Sequence, residues 1–256
     1  MLGQPRSHLF AWPEKELTPE QQTAFEELIQ RRLTGEPIAH ITGEREFWSL
    51  PLRVTEDTLI PRPETELLVE RALFHLTGRE APRIADLGTG SGAIALALAS
   101  ELPGALIHAC DQSTAALEIA RDNAHRLELA QVAFFQGDWY QALPRSQRYD
   151  LIASNPPYIE AQDPHLNSGD LPREPRDALA SGPDGLTAIR QIASQAPSHL
   201  RPGGWLLLEH GYNQGEAVRQ ILALEGFQQI ETLSDLAGQA RLTEGLLPRQ
   251  QPLGTS

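Results

Sequence analysis

Arg83-Ile84-Ala85-Asp86-Leu87-Gly88-Thr89-Gly90-Ser91-Gly92 is the stretch from which the architecture can be read. The short apolar run 83–87 enters a turn with glycine at every second position, and the apolar segment 93–100 leaves it. That is a strand handed to a helix through a turn that a ligand can approach closely. The alternation then repeats. Residues 105–110 read as a second strand ending at Asp111, 114–127 as a helix, and 132–136 as a third strand followed by Gly137-Asp138-Trp139. Residues 149–154 form a fourth. Further on, 186–200 reads as a helix, 205–209 as a fifth strand, 214–224 as a helix, and 227–232 and 240–247 as the last two strands. Strand and helix in turn imply a parallel sheet covered on both faces.

The fourth strand stops at Asn155-Pro156-Pro157-Tyr158, because proline cannot continue the ladder. In an open parallel sheet, ligands bind beyond the carboxyl ends of the strands, so this turn is a candidate for chemistry. Asn155 offers a side-chain carbonyl acceptor, the fixed φ of the two prolines pre-sets their carbonyls, and Tyr158 adds a flat face. The set suits a planar NH2 group. One hydrogen would go to the Asn155 oxygen, the other to the Pro156 carbonyl, and the plane would pack on the ring. A plain strand-ending turn is the competing reading, since Asn-Pro is a common turn dipeptide.

The glycine turn leaves two cofactors open. Gly88-x-Gly90-x-x-Ala93, with Asp111 about 20 residues on, satisfies the dinucleotide fingerprint and would suit NAD. S-adenosylmethionine asks for the same geometry. Its ribose also needs a carboxylate, and the additional Gly92 and the preceding Asp86, which can face the ammonium of a methionine moiety, fit it better. Asp111, Asp138-Trp139 and the Asn155 turn each follow a successive strand, which places them on one rim of the sheet.

Before residue 83 the pattern differs. Leu9, Phe10 and Trp12 lie in a stretch with no partner helix upstream, and Thr18-Pro19-Glu20-Gln21 opens a helix with apolar Phe25, Leu28, Ile29 and Leu33, stopped by Gly35 and Pro37. Residues 44–54 alternate around Pro51 as a hairpin, 59–63 form a loop, and 64–76 read as a helix ended by Gly78. Residues 160–183 have no periodicity and hold four prolines, as a lid or binding loop would. The chain of 256 residues carries a net charge of −13, which argues against non-specific coating of nucleic acid. One cysteine, Cys110, excludes an internal disulfide, and no apolar run of 18 residues or signal pattern is present, so a cytoplasmic location is expected. Arg31, Arg32, Arg45 and Arg62 read as a solvated face, and His210 as structural.

These motifs, with Arg45-Glu46-Phe47-Trp48, Ile60-Pro61-Arg62-Pro63-Glu64-Thr65-Glu66 and Glu209-His210-Gly211, resemble the HemK/PrmC family of glutamine-N5 methyltransferases that modify peptide-chain release factors. The resemblance runs from about Leu9 to about Leu247. It implies a Rossmann-like class I S-adenosylmethionine-dependent methyltransferase with a seven-stranded, mostly parallel sheet, a small mainly helical N-terminal domain and a β-hairpin linker. It further implies S-adenosylmethionine held by Gly88, Thr89, Gly90, Ser91, Gly92, Asp111, Trp139 and Asn155, and the glutamine of a Gly-Gly-Gln motif held by Asn155, Pro156, Pro157 and Tyr158. The partners would be class 1 release factors, with no obligatory nucleic acid, membrane or metal. Residues 1–62 would form a docking domain shortened at its start, 63–248 the catalytic domain, and 249–256 a disordered tail. The alternative is a methyltransferase for exocyclic amines of adenine or guanine, in which the same tetrapeptide occurs.

Overall fold

Helix α1 (Arg6–Ala11) precedes α2 (Pro19–Leu33), whose start is fully capped. Thr18 Oγ1 accepts from Gln21 N, the Gln21 side chain accepts from Thr18 N, and Pro19 occupies a position where its missing N–H is not needed. The computed structural model describes residues 2–4 and 6–249, so most of the expected tail lies outside the described residues. A one-turn helix, α3 (Ile38–Thr42), closes on Gly43 in the left-handed region. Sequence periodicity does not reveal it, because five residues are too few to show a face. The hairpin β1 (Glu44–Phe47) and β2 (Leu50–Arg53) follows, its turn at Trp48 and Ser49 rather than around Pro51. Both turn residues have positive φ, the geometry that matches hairpin twist. Trp48 is held there by its backbone N–H to Glu66 Oε1 at 2.8 Å and its indole N–H to Glu101 Oε1 at 2.8 Å.

A 3-10 turn at Pro63–Thr65 leads into α4 (Glu66–Leu76). The main sheet then alternates: β3 (Arg83–Leu87), α5 (Ala93–Glu101), β4 (Leu106–Asp111), α6 (Thr114–Arg126), β5 (Val132–Gln136), β6 (Tyr149–Ser154), α7 (Thr187–His199), β7 (Leu200–Glu209), α8 (Gly215–Leu224), β8 (Gln228–Ser234) and β9 (Ala240–Leu246). The seven strands lie in the order β5-β4-β3-β6-β7-β9-β8. The first five are parallel, and β9 runs antiparallel between β7 and β8. This departs from the 3-2-1-4-5-6 order of the dinucleotide fold. Helices α4 and α5 cover one face and α7 and α8 the other, so Ile84, Leu151 and Leu207 pack in one core and Ala85, Ile152 and Leu206 in the second. Strand β7 starts five residues before the expected Trp205. Gly203 and Gly204 are paired with Leu247 across an irregular stretch, so a Pro-Gly-Gly sequence that reads as a turn is part of the ladder.

Residues 160–183 are ordered by three 3-10 turns and pinned at the base, where Ile159 N–H reaches Leu179 O and Ser181 N–H reaches Ile159 O. Two of the arginines expected on a solvated face instead bind this loop: Arg32 pairs with Asp170 at 2.7 Å, and Arg62 pairs with the buried Glu174. Among the described residues, no helix is long and apolar enough to cross a membrane.

Candidate active site

The strand ends meet at one rim. Leu87 is in register with Cys110 and Ser154, Ser154 with Leu208, and Asp111 with Gln136. The residues that follow these ends therefore gather on one side of the sheet. Gly88, Gly90 and Gly92 all have positive φ, at 74°, 55° and 89°. A Cβ on Gly88 would stand 3.2 Å from Trp139 Cζ3, and one on Gly92 would stand 2.9 Å from Leu96 Cδ1, whereas one on Gly90 would meet nothing within 4 Å. Gly88 and Gly92 thus serve close packing, and Gly90 borders open space.

That space is a cavity of about 360 Å³ lined by Gly88, Gly90, Asp111, Trp139, Asn155 and Pro157. Asp57-Thr58-Leu59 and Pro175, Asp177 and Ala178 complete its wall. No periodicity or motif marks residues 57–59, and only the tertiary fold brings them in, whereas Pro175, Asp177 and Ala178 belong to the loop 160–183 expected to act as a lid or binding loop. A smaller cavity adjoins it, sharing Gly88, Gly90 and Asn155 and adding Arg62, Thr65, Thr89 and Ser91.

Three aspartates of the rim have different surroundings. Asp111 Oδ2 accepts from Gly90 N at 2.9 Å and Oδ1 from Ser113 N at 2.9 Å, so both oxygens are oriented and each keeps acceptor capacity. Asp86 is fully buried below the turn, where Thr89 Oγ1 donates to its Oδ2 at 2.6 Å and Ala95 N at 3.2 Å. Its Oδ1 has no hydrogen-bond partner. Burial pushes this carboxyl up to about 7, against the pull of those two donors. Asp111 alone of the three lines the cavity; Asp138 does not reach the wall, and its Oδ2 accepts from Gln191 on α7 at 3.0 Å. Cys110 reaches the wall, but burial pushes its thiol up to about 12, which keeps it protonated and inert.

At the Asn155 turn, Asn155 Nδ2 donates to Thr65 Oγ1 at 3.2 Å. Neither Asn155 Oδ1 nor the Pro156 carbonyl accepts a hydrogen bond from the described residues. Tyr158 is fixed at both ends: its carbonyl accepts from Gln214 Nε2 at 2.9 Å, and its hydroxyl donates to Glu209 Oε1 at 3.4 Å. Glu209, the last residue of β7, is 1% exposed and Thr65 is 4% exposed. Thr65 and Glu209 fall inside family-like motifs, yet nothing in their spacing ties them to Asn155. His210 is buried with both ring nitrogens bonded, to Gly211 O and Thr243 Oγ1, each at 2.8 Å, which leaves no free nitrogen for base chemistry.

A parallel sheet with one reversed strand near its edge, a glycine cradle and a carboxylate beyond the second strand of the sheet define a Rossmann-like class I S-adenosylmethionine-dependent methyltransferase. The solved structure of a methyltransferase from Pyrococcus furiosus superposes with a TM-score of 0.59 at 16% identity, over 86% of this chain and 97% of that one. A family model described as methyltransferase small domain matches residues 63–237, and one described as PrmC N-terminal domain matches 1–43. The chain belongs to the release factor glutamine methyltransferase family, the HemK/PrmC family. It is 52% identical to the release factor glutamine methyltransferase of Vibrio cholerae serotype O1, over 96% of this chain and 85% of that protein. It is also 52% identical to that of Coxiella burnetii, over 94% of this chain and 86% of the other.

Proposed function

We propose that this protein transfers a methyl group from S-adenosylmethionine to the side-chain amide nitrogen of a glutamine in a peptide-chain release factor, by direct in-line transfer. The orientation of Asn155 carries this reading. Its NH2 is spent on Thr65, which leaves Oδ1 as an acceptor on a residue of the cavity wall, followed in the chain by the Pro156 carbonyl, which no described residue bonds. A primary amide presents two N–H groups to such a pair.

The cavity fits the methyl donor on three observations. Space lies open over Gly90, an oriented carboxylate at Asp111 suits a ribose diol, and beneath the glycine turn, behind the wall, the unpaired Oδ1 of the buried Asp86 suits an ammonium. S-adenosylmethionine, when bound, supplies an electrophilic methyl group on its sulfonium. We assign residues 88–92 and Asp86 to its amino-acid end, Asp111 to its ribose and Trp139 and Asn155 to the adjoining wall, with Asp138 bracing the turn that presents Trp139.

An amide nitrogen is a weak nucleophile because its lone pair is delocalised into the carbonyl. Alignment must supply most of the acceleration, and proximity and orientation can be worth about 7–11 kcal/mol. Asn155 Oδ1 and Pro156 O hold the N–H bonds so that the lone pair is aimed, and the Tyr158 ring, tethered at Gln214 and Glu209, supports the amide plane. As positive charge develops on nitrogen, the same two acceptors bind it more strongly than the neutral amide.

A glutamine side chain is too small to distinguish one protein from another, so recognition needs further surface. We assign it to residues 1–62 and the loop 160–183, which are joined by Arg32–Asp170, by Arg173 Nη2 to Thr34 O at 2.9 Å, and by Glu174 to Ile60 N at 2.9 Å. Residues 63–248 form the catalytic unit. Single-turnover transfer at saturating cofactor tests the site: Asn155→Ala is expected to abolish transfer with a smaller effect on cofactor affinity, and near wild-type rates in that variant would reject the reading.

A further inference from the structure

Asn155 and Tyr158 are joined beneath the site through one buried carboxylate. Thr65 Oγ1 accepts from Asn155 Nδ2, and Thr65 is buried, so its own hydroxyl hydrogen needs an acceptor inside the protein. Glu209 stands beside it, its Oε1 accepts the Tyr158 hydroxyl at 3.4 Å, and its Oε2 has no hydrogen-bond partner, which makes it the carboxylate next to the Thr65 hydroxyl. The carboxylate comes from the end of β7, two strands away from the glycine turn.

We propose that Glu209 and Thr65 are positioning residues that set which end of the Asn155 amide faces the substrate, an inference that rests on reading Asn155 as the acceptor for the glutamine NH2. An ionised carboxylate can only accept. Thr65 then donates to Glu209, its oxygen is left to accept, and Asn155 must turn its NH2 inward and its oxygen outward. A protonated Glu209 can donate to Thr65 instead. The Thr65 hydrogen is then released toward Asn155, the amide can turn over, and its NH2 meets the NH2 of the glutamine, donor against donor. Alignment of the nucleophile is lost in that state.

Burial pushes the Glu209 carboxyl up to about 7; the Thr65 hydroxyl, the Arg241 charge on β9 and the Tyr158 hydroxyl pull it back, and Glu64 on the 3-10 turn pushes it further up. Arg241 is itself paired with Asp235 at 3.3 Å. Burial holds Tyr158 well above the usual phenol range, so it stays a donor, and holds His210 below its ordinary value, so it stays neutral near pH 7. Glu209 is thus the group around this network whose charge changes near neutrality.

The test measures transfer to a release factor between about pH 6 and 8.5 for the wild type, Thr65→Val, Thr65→Ser, Glu209→Gln and Asn155→Ala, with cofactor affinity from calorimetry. Wild-type kcat is expected to fall about tenfold per pH unit below about pH 7. Thr65→Val is expected to lower kcat by about tenfold to a hundredfold, with KM and cofactor affinity within about twofold of wild type. Thr65→Ser keeps the hydroxyl and the rate, and Glu209→Gln gives a low, pH-independent kcat. Should Thr65→Val fail to bind cofactor, the serine and glutamine variants decide alone. An inactive Asn155→Ala beside an unimpaired Thr65→Val, or a flat wild-type profile, overturns the positioning role. A fully active Asn155→Ala overturns the underlying acceptor reading instead.

Discussion

Replacing Asp111 with alanine isolates the cofactor half of the site. The carboxylate is oriented before any ligand arrives, by Gly90 N–H on one oxygen and Ser113 N–H on the other. Each oxygen retains a lone pair for a ribose hydroxyl, and a hydrogen bond to a charged group contributes about 1.5–3 kcal/mol. Losing one such contribution raises Kd about tenfold to 150-fold, and losing both raises it further. The fold should survive. Asp111 is half-buried, so water can reach the two freed amides, and the turn keeps its bonds from Gly88 N and Thr89 N to Cys110 O, each at 2.9 Å. The expected fall in Tm is a few degrees at most. Asp111→Asn should fall between, because its NH2 must face one of two backbone N–H donors. Titration calorimetry with S-adenosylmethionine and thermal unfolding of the same samples make the comparison. A Kd within about twofold of wild type at unchanged Tm would refute the assignment of the ribose to Asp111.

Gly88→Ala should weaken cofactor binding and lower Tm, since a left-handed alanine costs about 1–2 kcal/mol and its Cβ would push on Trp139 at 3.2 Å; an unchanged Kd in calorimetry would separate Trp139 from the cofactor wall. Asp86 titrates near 7 instead of its ordinary 3.8, so without ligand its contribution to stability is full below that ordinary value and is lost as pH rises through about 7. An ammonium beside Oδ1 favours the ionised form, so S-adenosylmethionine affinity should rise by up to about tenfold per unit as pH climbs toward 7, and Asp86→Asn should flatten that slope in calorimetry. Glu174→Gln removes the charge that bonds Ile60 N–H and Arg62, so limited proteolysis within 160–183 should quicken and KM for intact release factor should rise at nearly constant kcat; unchanged cleavage would show that the loop is held elsewhere.

The central strands were legible because buried parallel strands are continuous apolar runs, and runs such as 83–87 and 149–154 end abruptly at glycine or proline. Their order on the rim follows from alternation, which is why Asp111, Trp139 and Asn155 could be grouped without coordinates. Local pattern failed where pairing is a backbone matter, as at Gly203 and Gly204, whose bonds to Leu247 leave no trace in side-chain type. It failed also where partners are far apart in the chain. Thr65 meets Asn155 across 90 residues and Glu174 meets Ile60 across 114, so a threonine and a glutamate that look solvent-bound are buried at the site. Asp138 adds a contact that its position after β5 does not announce: its Oδ2 accepts from Gln191 on α7.

The most direct test of the central claim is peptide-resolved mass spectrometry of a release factor incubated with this protein and methyl-labelled S-adenosylmethionine, run beside duplex DNA and ribosomal RNA. One methyl group on a glutamine side-chain amide of the release factor, absent with Asn155→Ala, and no label on either nucleic acid is the result expected. Label on adenine or guanine amines, with the release factor unmodified, would contradict it.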